Sequence, residues 1–315
     1  MNEAPVDAGV IGVGTMGSHH ARVYAELPDT TLVGVADQDE TRAESIADDY
    51  GTTARSRQTL FERADVVSVA VPTNFHAQVA EEAIDAGTSV LIEKPFVRDP
   101  DRGVELCERA DGADVTLQVG HIERFNPVVR MLKRILAGEV PISFDARRLG
   151  PPIDRDPTDG VVLDLMIHDI DVMLTLADSP VSDVAATGAA DGQRVSAYIE
   201  FESGAFGSLA ASRVTQKKVR DISVTTEECH IESDYNDQQI EIHRHSLPEF
   251  VDHDGDVRFR HENIIERPMI ENREPLKAQL SDFVTSHREG TVPEVTGQDA
   301  LRALRIARRI RAETT

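Results

Sequence analysis

The chain has only two cysteines, Cys107 and Cys229, 122 positions apart and with no second cysteine near either. That excludes a disulfide framework and a CxxC metal site. No uninterrupted apolar run approaches the roughly 18 residues of a membrane span. The opening run Met1-Asn2-Glu3-Ala4-Pro5-Val6-Asp7 has neither the basic start nor the apolar core of a signal peptide. These absences predict a soluble, cytoplasmic protein with no membrane partner. Positive charge is also scarce: 33 Lys and Arg face 56 Asp and Glu, for a net charge of -23. Nucleic-acid binding is thereby excluded as a default, because such proteins carry the opposite sign. Repeats and low-complexity linkers are missing too, so the domains should be joined tightly.

Lysine is the scarcest cation. Lys94, Lys133, Lys217, Lys218 and Lys277 are five of the 33 basic residues, which leaves 28 arginines. Acidic residues are dispersed (Asp37 to Glu40, Asp48-Asp49, Glu81-Glu82, Glu227-Glu228), with no acidic tail. This is a surface property, similar to that of proteins from salt-loving organisms, where salt screens the repulsion. Against that background one lysine stands out. Lys94 sits in Glu93-Lys94-Pro95, directly after the apolar run Ser89 to Ile92. Lysine offers a compact ammonium with three rotatable donors and a pKa that burial shifts, which arginine does not.

What is present has a clear order. Apolar runs at Ala8–Ile11, Thr31–Ala36, Val66–Val71, Ser89–Ile92 and Val115–Val119 alternate with helical spacing at Ser18–Leu27, Glu40–Asp49, His76–Ala86 and Asp101–Ala110. Runs apolar on both faces fit a parallel sheet covered by helices, hence a doubly wound α/β domain of Rossmann type over residues 1–120. Gly87 falls where a helix C-terminal cap belongs. Residues 121–315 read as a second, α+β domain with a largely antiparallel open sheet. It opens with a helix from Pro127 to Ala137 ended by Gly138, and alternates at Val195–Phe201, Ala205–Arg213, Asp221–Thr226 and Cys229–Glu232. The turn Glu202-Ser203-Gly204-Ala205 should join a hairpin. Helical spacing returns at Leu276–Ser286 and Gln298–Ala312.

Gly12-Val13-Gly14-Thr15-Met16-Gly17 follows the first strand and opens the first helix. Its three glycines allow, in turn, a tight turn, close approach of a pyrophosphate, and packing of helix on strand. Asp37 ends the second strand, where a carboxylate accepts from ribose hydroxyls and repels an extra phosphate. NAD is therefore expected, with NADP a lesser alternative carried by nearby Thr41 and Arg42.

The glycine loop, Val71-Pro72-Thr73-Asn74-Phe75-His76, Glu93-Lys94-Pro95 and Gly160 to Asp171 occur in one order along nearly the whole chain. In them the chain resembles the Gfo/Idh/MocA family of NAD(P)-dependent sugar dehydrogenases. The resemblance implies an NAD-binding domain over 1–120 and a substrate-binding and oligomerisation domain over 121–315, its C-terminal helix packing back on the first. Cofactor contacts would come from Gly12, Val13, Gly14, Thr15, Met16, Gly17, Asp37, Val71, Pro72, Thr73, His76, Glu93 and Lys94. It implies catalysis by His168 as acid/base, by Lys94 beside the nicotinamide and reacting hydroxyl, and by Asp164 before His168 on one helix. Independently, spacing puts 164, 168 and 171 on one helical face, and an imidazole titrates near neutrality. Asp164 would orient His168 or bind a neighbouring hydroxyl.

A finer likeness lies in Gly120-His121-Ile122-Glu123-Arg124-Phe125-Asn126-Pro127. It is similar to the subgroup that oxidises the 3-hydroxyl of UDP-N-acetylglucosamine. Arg124 would then meet a phosphate, and His121 or Asn126 a sugar hydroxyl or acetamido group. A loop-to-helix junction capped by Asn126 and Pro127 is the competing reading. The expected partner is a sugar or nucleotide sugar, in a homodimer or homotetramer. A free-sugar or cyclitol dehydrogenase, a glycosidase using NAD transiently, and a silent sugar-binding regulator are the alternatives. No metal is expected: His243, His245, His253 and His261 lack the spacing of further ligands, and His243 and His245 read as one face of a solvated strand. Arg147-Arg148 reads as a sheet edge or substrate-domain surface, with anion binding as the alternative, and His19-His20 as packing on the first helix.

Overall fold

The computed structural model describes residues 4–152, 159–245, 249–253, 256–260 and 262–314. It forms two compact units, Met1–Phe125 with Arg273–Arg305, and Asn126–Asn272 with Ile306–Thr315. The expected division after residue 120 compares with a first unit that continues to Phe125 and resumes at Arg273. Among the described residues no helix is long and apolar enough to cross a membrane.

In the first unit the chain runs β1 (Val6–Ile11), α1 (Thr15–Glu26), β2 (Thr30–Ala36), α2 (Glu40–Asp49), α3 (Arg57–Phe61), β3 (Val66–Val69), α4 (His76–Asp85), β4 (Ser89–Glu93), α5 (Pro100–Ala113) and β5 (Leu117–Gly120). The sheet order is β2-β1-β3-β4-β5, and every pair is parallel. Beyond β2 a parallel bridge joins Val35 to Ala54. Val66, Val67, Val90, Leu91 and Ile92 are fully buried, each branched aliphatic side chain contributing about 1.5–3 kcal/mol on burial. The chain order reverses between β1 and β3, the switch point where open α/β sheets bind ligands.

Element boundaries differ from the sequence reading for local reasons. β5 starts at Leu117, not Val115, because the Val115 N–H closes α5 on Ala110 O at 3.1 Å. β3 ends at Val69, after which Ala70 N–H bonds Ile11 O and Val71 turns away. Side-chain caps start the helices: Asp39 accepts from Arg42 N–H, Ser56 from Thr59 N–H, and Asp99 from Asp101 N–H ahead of Pro100.

The second unit begins with α6 (Pro127–Ile135) and β6 (Pro141–Leu149). It continues with α7 (Ile167–Ala177), β7 (Val181–Ala189), β8 (Arg194–Phe201), β9 (Phe206–Ser212), β10 (Val219–Thr226), β11 (His230–Asp234), β12 (Gln239–His245), β13 (Glu249–His253), β14 (Asp256–Arg260) and β15 (Asn263–Glu266). Two helices end the chain, α8 (Pro275–Glu289) and α9 (Gly297–Glu313); α8 lies in the first unit and α9 is divided between the two. The large sheet has the order β15-β12-β11-β10-β6-β9-β8-β7, antiparallel except for β6 with β9. β6 is thus an interior strand, which corrects the edge reading of Arg147-Arg148: Arg147 faces outward and Arg148 is buried. Alternation follows the pleat. Phe144, Ala146, Ile222, Val224, Ile231, Ile240 and Ile242 face the core.

Register sets rows across the outward face. One runs Tyr198, Ser208, Asp145, Ser223, Glu232, Glu241, each paired with the next. The adjacent row runs Phe206, Ser143, Thr225, His230, His243, Ile265. On the inner face α7 packs closely on β9, since a Cβ at Gly207 would lie 2.2 Å from Met173 Sδ.

Candidate active site

The glycine loop is built by contacts that forbid side chains. Gly12 has φ +85°, and a Cβ there would lie 2.8 Å from the backbone of Ala70 and Val71, so the loops after β1 and β3 touch. Gly17 lies inside α1, which begins at Thr15 and not at the expected Ser18. A Cβ on Gly17 would sit 1.8 Å from Gly12 O. Gly14, by contrast, has nothing within 4 Å of a built Cβ, and it caps α1 without a side-chain bond. The first turn of α1 carries no acid. An open glycine against a helix N-terminus that offers N–H donors and positive dipole fits a dinucleotide pyrophosphate.

Asp37 braces this loop. Its Oδ2 accepts from Val13 N–H at 2.7 Å, and its Oδ1 accepts from Asp39 N–H at 2.9 Å. Arg42 Nη1 lies 3.5 Å from Asp37 and Arg42 Nη2 3.2 Å from Asp39. The arginine is held by two carboxylates rather than turned toward a phosphate.

His76, which the motif offers as a cofactor contact, is turned into the protein. Its Nε2 lies 2.8 Å from Val71 O, and Nδ1 lies 3.0 Å from Pro95 O and 3.3 Å from Phe96 O. One buried ring therefore ties the loop after β3 to the loop after β4. Burial holds its pKa below the ordinary imidazole value, although the three carbonyls favour the protonated form. Pro72 and Thr73 lead into a single 3-10 turn, Thr73–Phe75.

Glu93 ends β4, buried, with Lys94 next to it at the mouth of the strand. His20 Nε2 donates to Glu93 Oε1 at 3.0 Å, and Lys94 N–H donates to Glu93 Oε2 at 3.2 Å. Gly120 makes room, since a Cβ there would lie 2.8 Å from Glu93 Oε1. Burial pushes the Glu93 carboxyl up, yet the His20 bond and charge together with Lys94 outweigh it and hold it below its ordinary value. This ionised carboxylate fixes the backbone from which Lys94 projects.

The junction residues are engaged locally. His121 is buried, Arg124 Nη2 lies 3.8 Å from Asp299 Oδ1, and Asn126 Oδ1 caps α6 through Val128 N–H at 3.0 Å. The capping reading of Asn126 is the one the structure displays.

In the second unit His168 lies in the first turn of α7, and a π-turn, Val162–Met166, precedes it. Ile167 N–H reaches back five residues to Val162 O. Asp164 and His168 therefore share one continuous helical stretch, widened where the π-turn lies. An arginine of β6 and one just past β9 hold this stretch. Arg213 Nη2 donates to Asp164 Oδ2. Arg148 grips Asp169 with two bonds, 2.8 and 2.7 Å, and its guanidinium lies 5.9 Å from the Tyr235 ring. Both Arg148 and Asp169 are almost wholly buried. Arg213 is also buried, and its Nη1 makes no hydrogen bond. Sequence reasoning missed His20, Arg148, Asp169 and Arg213 as participants. For Arg148 the available signal was a charge in the inward phase of the alternating Phe144, Ala146, Arg148.

A parallel sheet with a glycine-built anion cradle, joined to an open-sheet unit that clamps an acid-flanked histidine, defines a two-domain, dinucleotide-dependent oxidoreductase. The chain belongs to the Gfo/Idh/MocA oxidoreductase family: the family's NAD-binding Rossmann fold matches residues 6–121 and its C-terminal alpha/beta domain residues 146–313. It is 32% identical over 303 residues to UDP-N-acetylglucosamine 3-dehydrogenase of Acidithiobacillus ferrooxidans, covering 94% of each chain. A solved structure of that protein matches with a TM-score of 0.89 at 30% identity, over 99% of this chain and 98% of that one. Scyllo-inositol 2-dehydrogenase (NAD(+)) of Bacillus subtilis is 30% identical over 235 residues, 68% of this chain and 69% of that protein.

Proposed function

We propose that the chain catalyses NAD-dependent oxidation of a sugar hydroxyl, the 3-hydroxyl of UDP-N-acetylglucosamine or of a related nucleotide sugar. The observation that carries this reading is the end-to-end likeness to UDP-N-acetylglucosamine 3-dehydrogenase. NAD would be held by the loop Gly12 to Gly17, with Asp37 toward its ribose and Val71, Pro72 and Thr73 alongside, and when bound it supplies the hydride acceptor. His168 takes the hydroxyl proton as general base. Lys94 stabilises the charge that develops on the oxygen. Arg213 pairs with Asp164 and offers its unspent Nη1 to a substrate oxygen. His121 and Arg124 are the positions proposed to face the rest of the nucleotide sugar, beside Asn126, whose Oδ1 caps α6.

The two-domain division of labour, cofactor on residues 1–120 and substrate and self-association on 121–315, belongs to the same proposal. Tyr198 stacks on Phe206 with ring centroids 5.6 Å apart, both side chains part-exposed on the outward sheet face. That face is proposed to bury itself in a homodimer or homotetramer, which light scattering in molar salt reads directly. The partial-length likeness to an inositol dehydrogenase supports the second reading, a cyclitol or free-sugar dehydrogenase.

The test is NADH formation in high salt across UDP-N-acetylglucosamine, other UDP-sugars, glucose, xylose and inositol. Turnover with UDP-N-acetylglucosamine above all others is expected. Turnover confined to inositol or a free sugar transfers the assignment to the second reading. NAD binding without turnover on any of them makes the chain a silent regulator.

A further inference from the structure

One cluster in the second unit takes no part in this chemistry. On the outward sheet face, His230 and Glu232 of β11 stand directly opposite His243 and Glu241 of β12. One ligand atom from each of Glu232, Glu241 and His243 lies within 4.8 Å of the other two. His230 Nε2 is 3.6 Å from Glu232 Oε1, and the two imidazole centroids are 6.2 Å apart. Spacing along the chain hides this grouping, because cross-strand register assembles it.

Four features of the cluster point to a cation. First, two carboxylates directly opposed on neighbouring strands repel each other. Arg267 bonds Glu241 at 2.8 Å from a largely exposed side chain. Second, Thr225 Oγ1 lies 3.0 Å from His230 Nδ1 and fixes the ring with Nε2 toward Glu232. A hydrogen bond on one ring nitrogen that aims the other is how metal-binding imidazoles are oriented. Third, His243 Nε2 is buried, makes no hydrogen bond, and lies 3.7 Å from Glu241 Oε2. Fourth, the cluster borders a groove of about 570 Å³ whose wall also carries Asp145, Asp221 and Asp234. Its one arginine, Arg147, is already paired with Asp221 through two bonds. Such a groove concentrates cations.

We propose that His230, Glu232, Glu241 and His243 form a binding site for a late first-row divalent metal such as zinc. Two imidazole nitrogens and two carboxylate oxygens match the donors and coordination number of zinc. Magnesium, which demands an octahedral oxygen shell and dehydrates reluctantly, is a poor fit. Binding displaces Arg267 from Glu241 and cross-links β11 to β12.

The experiment is calorimetric titration of the full chain with zinc chloride after chelator dialysis, repeated with magnesium chloride. One zinc per chain and no saturable magnesium binding are expected. Thr225→Val should weaken zinc by roughly 10–100-fold, and His243→Ala and Glu241→Gln by more. His245→Ala, on the same strand but outside the cluster, should bind as the parent does. Metal-free melting temperatures of all variants keep loss of binding separate from loss of fold. The proposal is overturned by a chain that takes up no zinc. It is equally overturned if His243→Ala binds like the parent, or if His245→Ala loses as much as His243→Ala.

Discussion

The two units place charge by different means. Around the glycine loop the backbone does the work: Gly14 leaves space, α1 presents its N–H groups, and Asp37 braces Val13. Around His168 side chains do it, in pairs that tie the helical stretch 162–177 to β6 and to the end of β9. Arg148 reaches Asp169 across 21 positions, and Arg213 reaches Asp164 across 49. A backbone cradle needs only glycines in the right places, and it accepts a ligand common to many proteins. A side-chain cradle is made by register, and each pair can be exchanged separately. The first design suits a shared cofactor, the second a substrate peculiar to one enzyme.

The sharpest way to break this comparison is to remove the reacting groups. Lys94→Ala and His168→Ala should each lower kcat by about 10²–10⁴-fold, with NAD binding by calorimetry little changed. Lys94→Arg should not rescue, because a planar guanidinium cannot take the place of a compact ammonium. Turnover should fall on the acid side in the parent, since only a neutral imidazole accepts the hydroxyl proton. Loss of NAD affinity in step with turnover would move Lys94 into the cofactor cradle.

Next in size is the buried pair of the second unit. Arg148→Ala leaves Asp169 buried without its partner and should cost about 3–5 kcal/mol in urea unfolding. The double change Arg148→Met, Asp169→Leu removes both charges and should recover most of that loss. A single variant as stable as the parent would mean that the pair does not hold α7.

These contrasts explain what could be read beforehand. The glycine loop, Asp37, the Glu93-Lys94-Pro95 turn and the parallel strands were legible because each is local: a strand, a tight turn, a cap. The largely antiparallel sheet was legible from alternation, though β7, β13, β14 and β15 were not marked as strands, β6 and β12 were noted only through Arg147-Arg148 and His243 with His245, and α3 was missed. The π-turn was not legible, since the residues from Val162 to Met166 fit an ordinary helix equally well. Nor were Arg148, Arg213 or the clamp made by His76, because long-range partners appear only once strands are in register. The same limit hid the opposition of Glu232 to Glu241. Of the four histidines weighed for a metal, His261 lies outside the described residues, as does the side chain of His253.

A smaller effect sharpens the cofactor side. Asp37→Ala removes the acceptor of Val13 N–H and releases Arg42. Losing a hydrogen bond to a charged group costs about 1.5–3 kcal/mol, and this loss should fall on NAD. NADP, freed from carboxylate repulsion, should be held more nearly equally. Paired titrations of the two cofactors read the ratio, and an unchanged ratio would take Asp37 out of the selection.

The smallest effect tests whether the first unit also leans on one side chain. His76 bridges the loops after β3 and β4, and burial holds its pKa below the ordinary 6.5. A base whose pKa is depressed by folding is protonated more readily in the unfolded chain. Its contribution to stability is therefore complete above pH 6.5, declines as the pH falls below that value, and is gone once the depressed folded value is passed. His287, half-buried, is shifted in the same direction and adds to the slope. Glu93, depressed from 4.5, adds its share only in more acid solution. Between pH 7 and 5 the melting temperature of the parent should accordingly fall with pH, and His76→Gln should flatten the fall without abolishing it. The slope is the readout, because the substitution also weakens the clamp at every pH. Equal slopes in the two proteins would show that His76 titrates as freely in the folded loop pair as in the open chain, and the lowering by burial would have to be abandoned.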